Sequence, residues 1–482
     1  MKVFTVTQNT SFLTAASILQ KVISFVYFTI IARVIGVENT GVYFFAITFT
    51  TIFTVVADFG MGPVLTREVA RYPDRSEQYL HTAFWSKVMF GVVSYGLVIF
   101  FVNILNYPYL TKLLVSISGI TMFFDNLHAA FYSIFRARKN LIYESIGIVS
   151  SQAITLVIGS LALFNHWSLY WLILAYTIPA FLNFIFSAIC LKKIYGLIYR
   201  WSFNFEIFKM FLGFAFPFAL AGIIGRLYAY SDSLLMSKML SAQELGWWSV
   251  PYKISFAFQF VPVALSASIY PVMSELYLTQ KEKIGYLFLK SWRYLFTVVF
   301  PISFGLIALA TPIIIKLYKP QFSPAIPVLQ ILLISLIFGY LSFVTGATLN
   351  ASNKQKTQTS LLAFALLVNI LTNLLLLPKI GIMGAAYAAL LSNVVLCIGG
   401  FLFCRKIILI DLNMLFKYFN QTFWPAILMA IMAFYLSNKI SFLIIIPLAA
   451  VVYGLLLYIS GGIDKDLIMK FYNKIIDSKK VV

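Results

Sequence analysis

Hydrophobic runs long enough to cross a bilayer alternate with short polar loops along the whole chain. Fourteen windows qualify: 11–33, 41–65, 83–104, 113–135, 143–164, 169–191, 208–237, 245–273, 291–310, 325–349, 360–377, 382–403, 420–437 and 441–459. Each is expected to be a transmembrane helix, since about 20 apolar residues span the hydrocarbon layer. The windows 208–237 and 245–273 are longer than a crossing needs and carry Pro217, Pro251 and Pro262, so tilting or kinking is expected there. The predicted fold class is an all-α polytopic membrane protein.

The pattern also repeats. Ile18-Leu19-Gln20-Lys21, followed by Ala32-Arg33 and by Gly36 to Gly41, returns at an offset of 205 as Ile223-Ile224-Gly225-Arg226, Ser237-Lys238 and Ser241 to Gly246. Lys21 falls on Arg226, Arg33 on Lys238, Gly41 on Gly246 and Tyr43 on Trp248. Further matches pair Pro63 to Thr66 with Pro271 to Ser274, Phe135 to Ala137 with Leu349 to Ala351, and Lys192-Lys193 with Arg405-Lys406. Six spans thus recur as six in the same orientation, a parallel repeat about an axis along the membrane normal. The domains expected are an N-terminal lobe (1–205, spans one to six), a C-terminal lobe (206–412, spans seven to twelve), and 413–482 with two extra spans and a basic tail. Lobes duplicated in this way, each with a cation at mid-span, are a transporter-like feature.

Composition agrees with the pattern: 61% of the 482 residues are hydrophobic and 11% charged, with a mean hydropathy of +0.91. The net charge of +20 does not imply nucleic acid, because the basic residues sit in short loops. With the N-terminus cytoplasmic, inward loops and tails hold 25 of the 36 Lys and Arg, outward ends hold seven, and Lys21, Lys87, Arg226 and Lys253 lie in or near apolar windows. That imbalance places both termini in the cytoplasm of a cell-membrane protein. Cys190, Cys397 and Cys404 show no metal or redox spacing and read as small hydrophobes. The N-terminus lacks a cleavable-signal pattern, and no metal or other cofactor is expected.

Several stretches resemble the polysaccharide transporter family, the lipid-linked oligosaccharide (O-antigen type) flippases of the multidrug/oligosaccharidyl-lipid/polysaccharide exporter superfamily. They are Gly36 to Tyr43, Ala57 to Gly62, Leu65 to Arg71, Asp232 to Leu235 leading to Glu244-Leu245-Gly246, Tyr270 to Ser274, Phe322 to Leu329, Leu349-Asn350-Ala351 and Gly381 to Ala386. Val37 stands where the family often has proline. The resemblance implies two six-helix lobes around an aqueous cavity with alternating access. Its implied substrate is an undecaprenyl- or dolichyl-type phosphate-linked glycan, turned from the cytoplasmic to the outer leaflet. Implied partners are that lipid-linked glycan, membrane lipids and polysaccharide polymerase or assembly proteins, with no nucleic acid.

A diphosphate crossing hydrocarbon needs permanent cations in a wet cavity, and sugars need aromatic faces. Lys21 and Arg226, one per lobe, suit the phosphate; a cation at the bilayer centre costs roughly 2.5–3.5 kcal/mol, so keeping two implies water, a counter-ion or a ligand beside them. The alternative is a structural carboxylate partner or snorkelling. Lys253 either lines the same cavity or reaches the interface, Lys87 is expected to snorkel, and Tyr27, Tyr228 and Tyr230 are mid-span candidates for sugar contact. Asp125, His128 and Asp232 are candidates for coupling to an H+ or Na+ gradient or the membrane potential, against ordinary helix–helix polar contact. Asp232, six residues after Arg226, points to nearly the opposite side of an ideal helix, so no direct pair is expected. Asp58, expected to tether Arg67 or a nearby loop, and the run Arg67 to Arg71 would stand at the cytoplasmic mouth, where they meet either substrate or lipid headgroups. The last two spans either form a groove for the polyprenyl tail or pad the C-terminal lobe.

Two other functions compete. A multidrug or metabolite exporter of the same superfamily would favour an acidic cavity, whereas four basic residues accompany three acidic ones here. A membrane glycosyltransferase or polymerase would need a sizeable extramembrane loop, yet the longest outer connection is about 15 residues (311–325) and no nucleotide-binding or hydrolase motif is present. The chain therefore reads as a carrier and not as an enzyme.

Overall fold

The computed structural model describes residues 6–197 and 202–462, with side chains from residue 12 onward. Lys2, Arg200 and the basic C-terminal tail lie outside the described residues. Sixteen α-helices follow one another in the described chain: α1 (Val6–Asp58), α2 (Met61–Arg71), α3 (Ser76–Ile104), α4 (Tyr109–Ala137), α5 (Ile142–Phe164), α6 (Tyr170–Tyr195), α7 (Phe205–Met239), α8 (Ala242–Ala257), α9 (Phe260–Thr279), α10 (Glu282–Ala308), α11 (Ala310–Tyr318), α12 (Ala325–Ala351), α13 (Gln355–Ile380), α14 (Ile382–Arg405), α15 (Leu412–Leu436) and α16 (Phe442–Ile459). Among the described residues, thirteen stretches are long and apolar enough to cross a membrane. The first, Phe12–Arg71, contains two of the fourteen predicted windows. They separate at Gly36, whose backbone (φ 78°, ψ 178°) a side chain would disfavour.

The chain divides into two compact units, residues 1–253 with 369–385, and residues 254–368 with 386–482. This division does not follow the repeat boundary near residue 205, because α7 packs on α1, α2 and α3. In the first unit Phe211 and Ala215 of α7 enter the core built by Met61, Leu65, Leu80, Phe84, Phe131 and Phe135. In the second unit, α15 packs on α10 through a phenylalanine ladder. Phe296 and Phe300 stack at 5.1 Å, Phe419 and Phe423 at 4.9 Å, and the two pairs meet edge to face. Tyr453 of α16 adds a hydrogen bond to the Thr297 carbonyl at 3.1 Å. The extra helices therefore pad α10 along this face.

Each half also breaks its second crossing, and a matched side chain satisfies the freed backbone. Between α1 and α2, Phe59 and Gly60 take positive φ, and Asn126 donates to the Ala57 carbonyl at 2.9 Å. Between α8 and α9, the Phe258 carbonyl faces Pro262 at the i+4 position, which has no N–H to offer. It keeps a 3.3 Å bond from Val261 and accepts the Tyr340 hydroxyl at 2.7 Å. Asn126 and Tyr340 are equivalent positions of the repeat (offset 214, as for Phe135 and Leu349). In hydrocarbon an unpaired carbonyl has no water to turn to, which explains why both breaks are propped.

Candidate functional site

The repeat-defining helices carry the site. Arg226 is exposed on α7 although it sits well inside an apolar crossing. Among the described residues it makes no hydrogen bond or ion pair, and its charge falls within electrostatic reach of the Tyr252 phenol. Tyr252, on α8, is the hub. It hydrogen-bonds Tyr230 and also lies within reach of Asp232. Its hydroxyl approaches the Ala229 carbonyl at 3.3 Å. Its ring meets those of Phe44 at 5.6 Å and Tyr230 at 6.1 Å. The next residue, Lys253, is half-buried with its ammonium 5.4 Å from the centre of the Phe28 ring. Lys21 is half-buried on α1. Arg226, the Tyr230–Tyr252 pair and the adjacent Lys253 thus lie in the first unit on α7 and α8.

Further along α7 lies a buried polar knot. Asp232 accepts from the Asn373 amide at 2.7 Å and the Asn369 amide at 2.9 Å. Ser231 donates to Asn369 Oδ1 at 2.7 Å. The Asn373 side-chain oxygen is buried with no donor among the described residues. Asp232 does not pair with Arg226, as the helical geometry predicts.

The other half of the repeat fills the same place differently. Offsets of 205 and 214 map Asp232 onto Tyr27 and Asn373 onto Gly159. Tyr27 is wholly buried, with its phenol pressed so closely on Gly159 that a Cβ there would overlap it. Its ring lies 5.8 Å from that of Tyr176. Tyr27 is therefore a packing residue, with no exposed face to offer a sugar. The comparison also shows that this helix crossing can close without a carboxylate or an amide. The carboxylate–amide knot is consequently not something packing demands.

The predicted cytoplasmic mouth differs in its pairings. Asp58 binds Lys87, not Arg67. Lys87 does not snorkel: its side chain is fully buried, and it also donates to Asn126 Oδ1 at 3.1 Å and the Asn126 carbonyl at 3.3 Å. Three acceptors at the α1–α2 break replace the water a snorkelling ammonium would seek. Arg67 instead binds its neighbour Glu68 at 2.8 Å and covers the Phe214 ring at 4.3 Å. Arg71 is exposed, 3.8 Å from the same buried Glu68. Asp125 and His128 do share a face of α4, at 3.1 Å, with Asp125 exposed and His128 half-buried. No described contact joins them to the Tyr252 cluster.

Sequence reasoning missed Tyr252, Asn369 and Asn373. The asparagines had a signal: two amides at i and i+4 on one face of an apolar helix, where polar groups are costly.

Comparison with known proteins agrees with this architecture. The family described as polysaccharide biosynthesis protein matches residues 6–277. The chain belongs to that family. A putative O-antigen transporter of Shigella flexneri is 25% identical over 378 residues, covering 74% of this chain and 87% of that protein. The teichuronic acid biosynthesis protein TuaB of Bacillus subtilis is 24% identical over 319 residues, 63% of this chain and 62% of that one. Among solved structures, the lipid II flippase MurJ in an inward closed conformation superposes with a TM-score of 0.75 at 18% identity, covering 96% of this chain and 99% of that one. That likeness establishes the fold. The chain is a multi-pass membrane protein of that family.

Proposed function

We propose that the protein flips a polyprenyl-(di)phosphate-linked oligosaccharide from the cytoplasmic to the outer leaflet by alternating access, for cell-surface polysaccharide synthesis. The observation that carries this reading is Arg226: an exposed guanidinium inside an apolar crossing, without an ion-pair partner among the described residues, beside the Tyr230–Tyr252 pair. A structural arginine at that depth would be expected to own a carboxylate. Arg226 takes the phosphate bidentately, Lys21 and Lys253 add point charges, and the tyrosine faces take the sugar.

Coupling belongs to the Asp232 knot. Its carboxylate and amide oxygens suit a proton or a hard cation such as Na+, and the aromatic packing at the equivalent Tyr27–Gly159 position supports a role other than structure.

The test is restoration of surface glycan in a flippase-null host. Lys21→Ala and Arg226→Ala are each expected to cut flipping at least about tenfold, the worth of one charge-assisted hydrogen bond, while the protein stays folded and inserted. Arg226→Lys should recover part of the activity. If the double alanine variant still restores surface glycan, the phosphate clamp is wrong.

A further inference from the structure

The two turn glycines that mark the repeat touch each other's halves. A Cβ built on Gly41 would overlap the Ala242 carbonyl oxygen and stand 2.8 Å from the Gly246 nitrogen. A Cβ on Gly246 would overlap the Val37 carbonyl. Because Val37 and Ala242 are themselves equivalent at the offset of 205, the contact is reciprocal. Gly41 meets the partner of Val37, and Gly246 meets Val37, as a two-fold relation between the halves requires. Backbone lies against backbone here, so no side chain can swing aside to relieve an added methyl group.

A polar latch sits beside this crossing. Ser237 Oγ lies 2.8 Å from the Tyr107 hydroxyl. Lys238 binds the Leu105 carbonyl and stands 3.5 Å over the Tyr107 ring. Tyr107 and Leu105 belong to the connection between α3 and α4. The charge count assigns all of these positions to the outer side of the membrane.

We infer that the Gly41–Gly246 crossing, latched by Ser237 and Lys238 on the 105–107 loop, is the outer gate of the transport cycle. It is shut in this state and must part before cargo can leave on that side. The inference rests on the carrier reading above, but not on which cargo is carried. Glycine is needed at both positions because only bare backbone lets the two helix starts meet, and the latch is breakable because it consists of a few exchangeable polar contacts. Closure therefore depends on a steric fit, and its strength on the latch.

The experiment measures access, not transport. In a background with Cys190, Cys397 and Cys404 replaced, Ser249→Cys puts a thiol at a wholly buried position one turn below Gly246. A membrane-impermeant maleimide is added to intact cells, and to inside-out vesicles as the opposite face. Gly41→Ala and Gly246→Ala are each expected to raise labelling from outside by about tenfold or more, since an overlap with backbone displaces the closed population strongly. Tyr107→Phe, which removes the Ser237 hydrogen bond and keeps the ring, should raise it about two- to tenfold, the range of one net hydrogen bond. Should the alanine variants not fold, as judged by gel filtration, the Tyr107→Phe result decides. Unchanged outside labelling in a folded variant, or increased labelling only in inside-out vesicles, overturns the proposal. Increased outside labelling in a protein that moves no lipid-linked glycan would leave the gate standing and remove the flippase reading.

Discussion

Replacing Asp58 by asparagine should cost this protein more than replacing Lys87 by methionine, although the two residues form one ion pair. The reason is their unequal burial: the Lys87 side chain is fully buried, whereas the Asp58 side chain keeps 35% of its surface. Asp58→Asn strands an ammonium where water does not reach. Stranding a buried charge costs about 3–5 kcal/mol, and the Asn126 oxygens that still accept from Lys87 hold the loss near the lower end. Lys87→Met leaves instead a carboxylate that one-third exposure lets water solvate. Its cost should be about 1–3 kcal/mol, typical of a lost partner. In the double variant neither charge remains to be stranded, so the two losses should not add. A coupling energy of about 2 kcal/mol is expected for groups in direct contact. Unfolding midpoints of the four proteins in mixed micelles complete the cycle. A coupling below about 0.5 kcal/mol, the level of unconnected sites, would refute the reasoning, as would Lys87→Met proving the worse of the two.

The remaining predictions concern the two versions of the repeated crossing. Gly159→Ala should lower stability by about 1–3 kcal/mol through overpacking, read as a lower melting temperature. Tyr27→Phe should not rescue it, because the ring atoms as well as the hydroxyl occupy the space, whereas Tyr27→Leu should. Asp232→Asn should leave the fold intact, since it is nearly isosteric and can still accept from the two amides, but should abolish any stimulation of flipping by Na+ or by a proton gradient. Persistent cation dependence in that variant would place coupling elsewhere, with Asp125 and His128 the next pair to test.

Much of the architecture is visible in one dimension. Apolar length gives the crossings, and the recurrence of Gly36 to Gly41 as Ser241 to Gly246 gives the parallel repeat. Hydropathy also places Lys21, Arg226 and Asp232 at depth, and the 100° step of a helix predicts that Asp232 turns away from Arg226. These properties belong to single helices, so local spacing determines them. The partners of buried polar groups are a different matter. Lys87 looks like an interfacial lysine until α1 and α3 pack and bring it to Asp58, 29 residues away in sequence. Tyr27 has the depth and chemistry of a sugar contact, yet Gly159 on α5 opens a socket that swallows it. At the equivalent crossing, Asn373 replaces that glycine and an acid replaces the tyrosine. Between membrane helices, association depends on close packing and hydrogen bonds, with no hydrophobic gain to steer it. Which face meets which neighbour is settled by small residues and complementary shapes on separate helices. That information is spread along the chain, and only the folded bundle collects it.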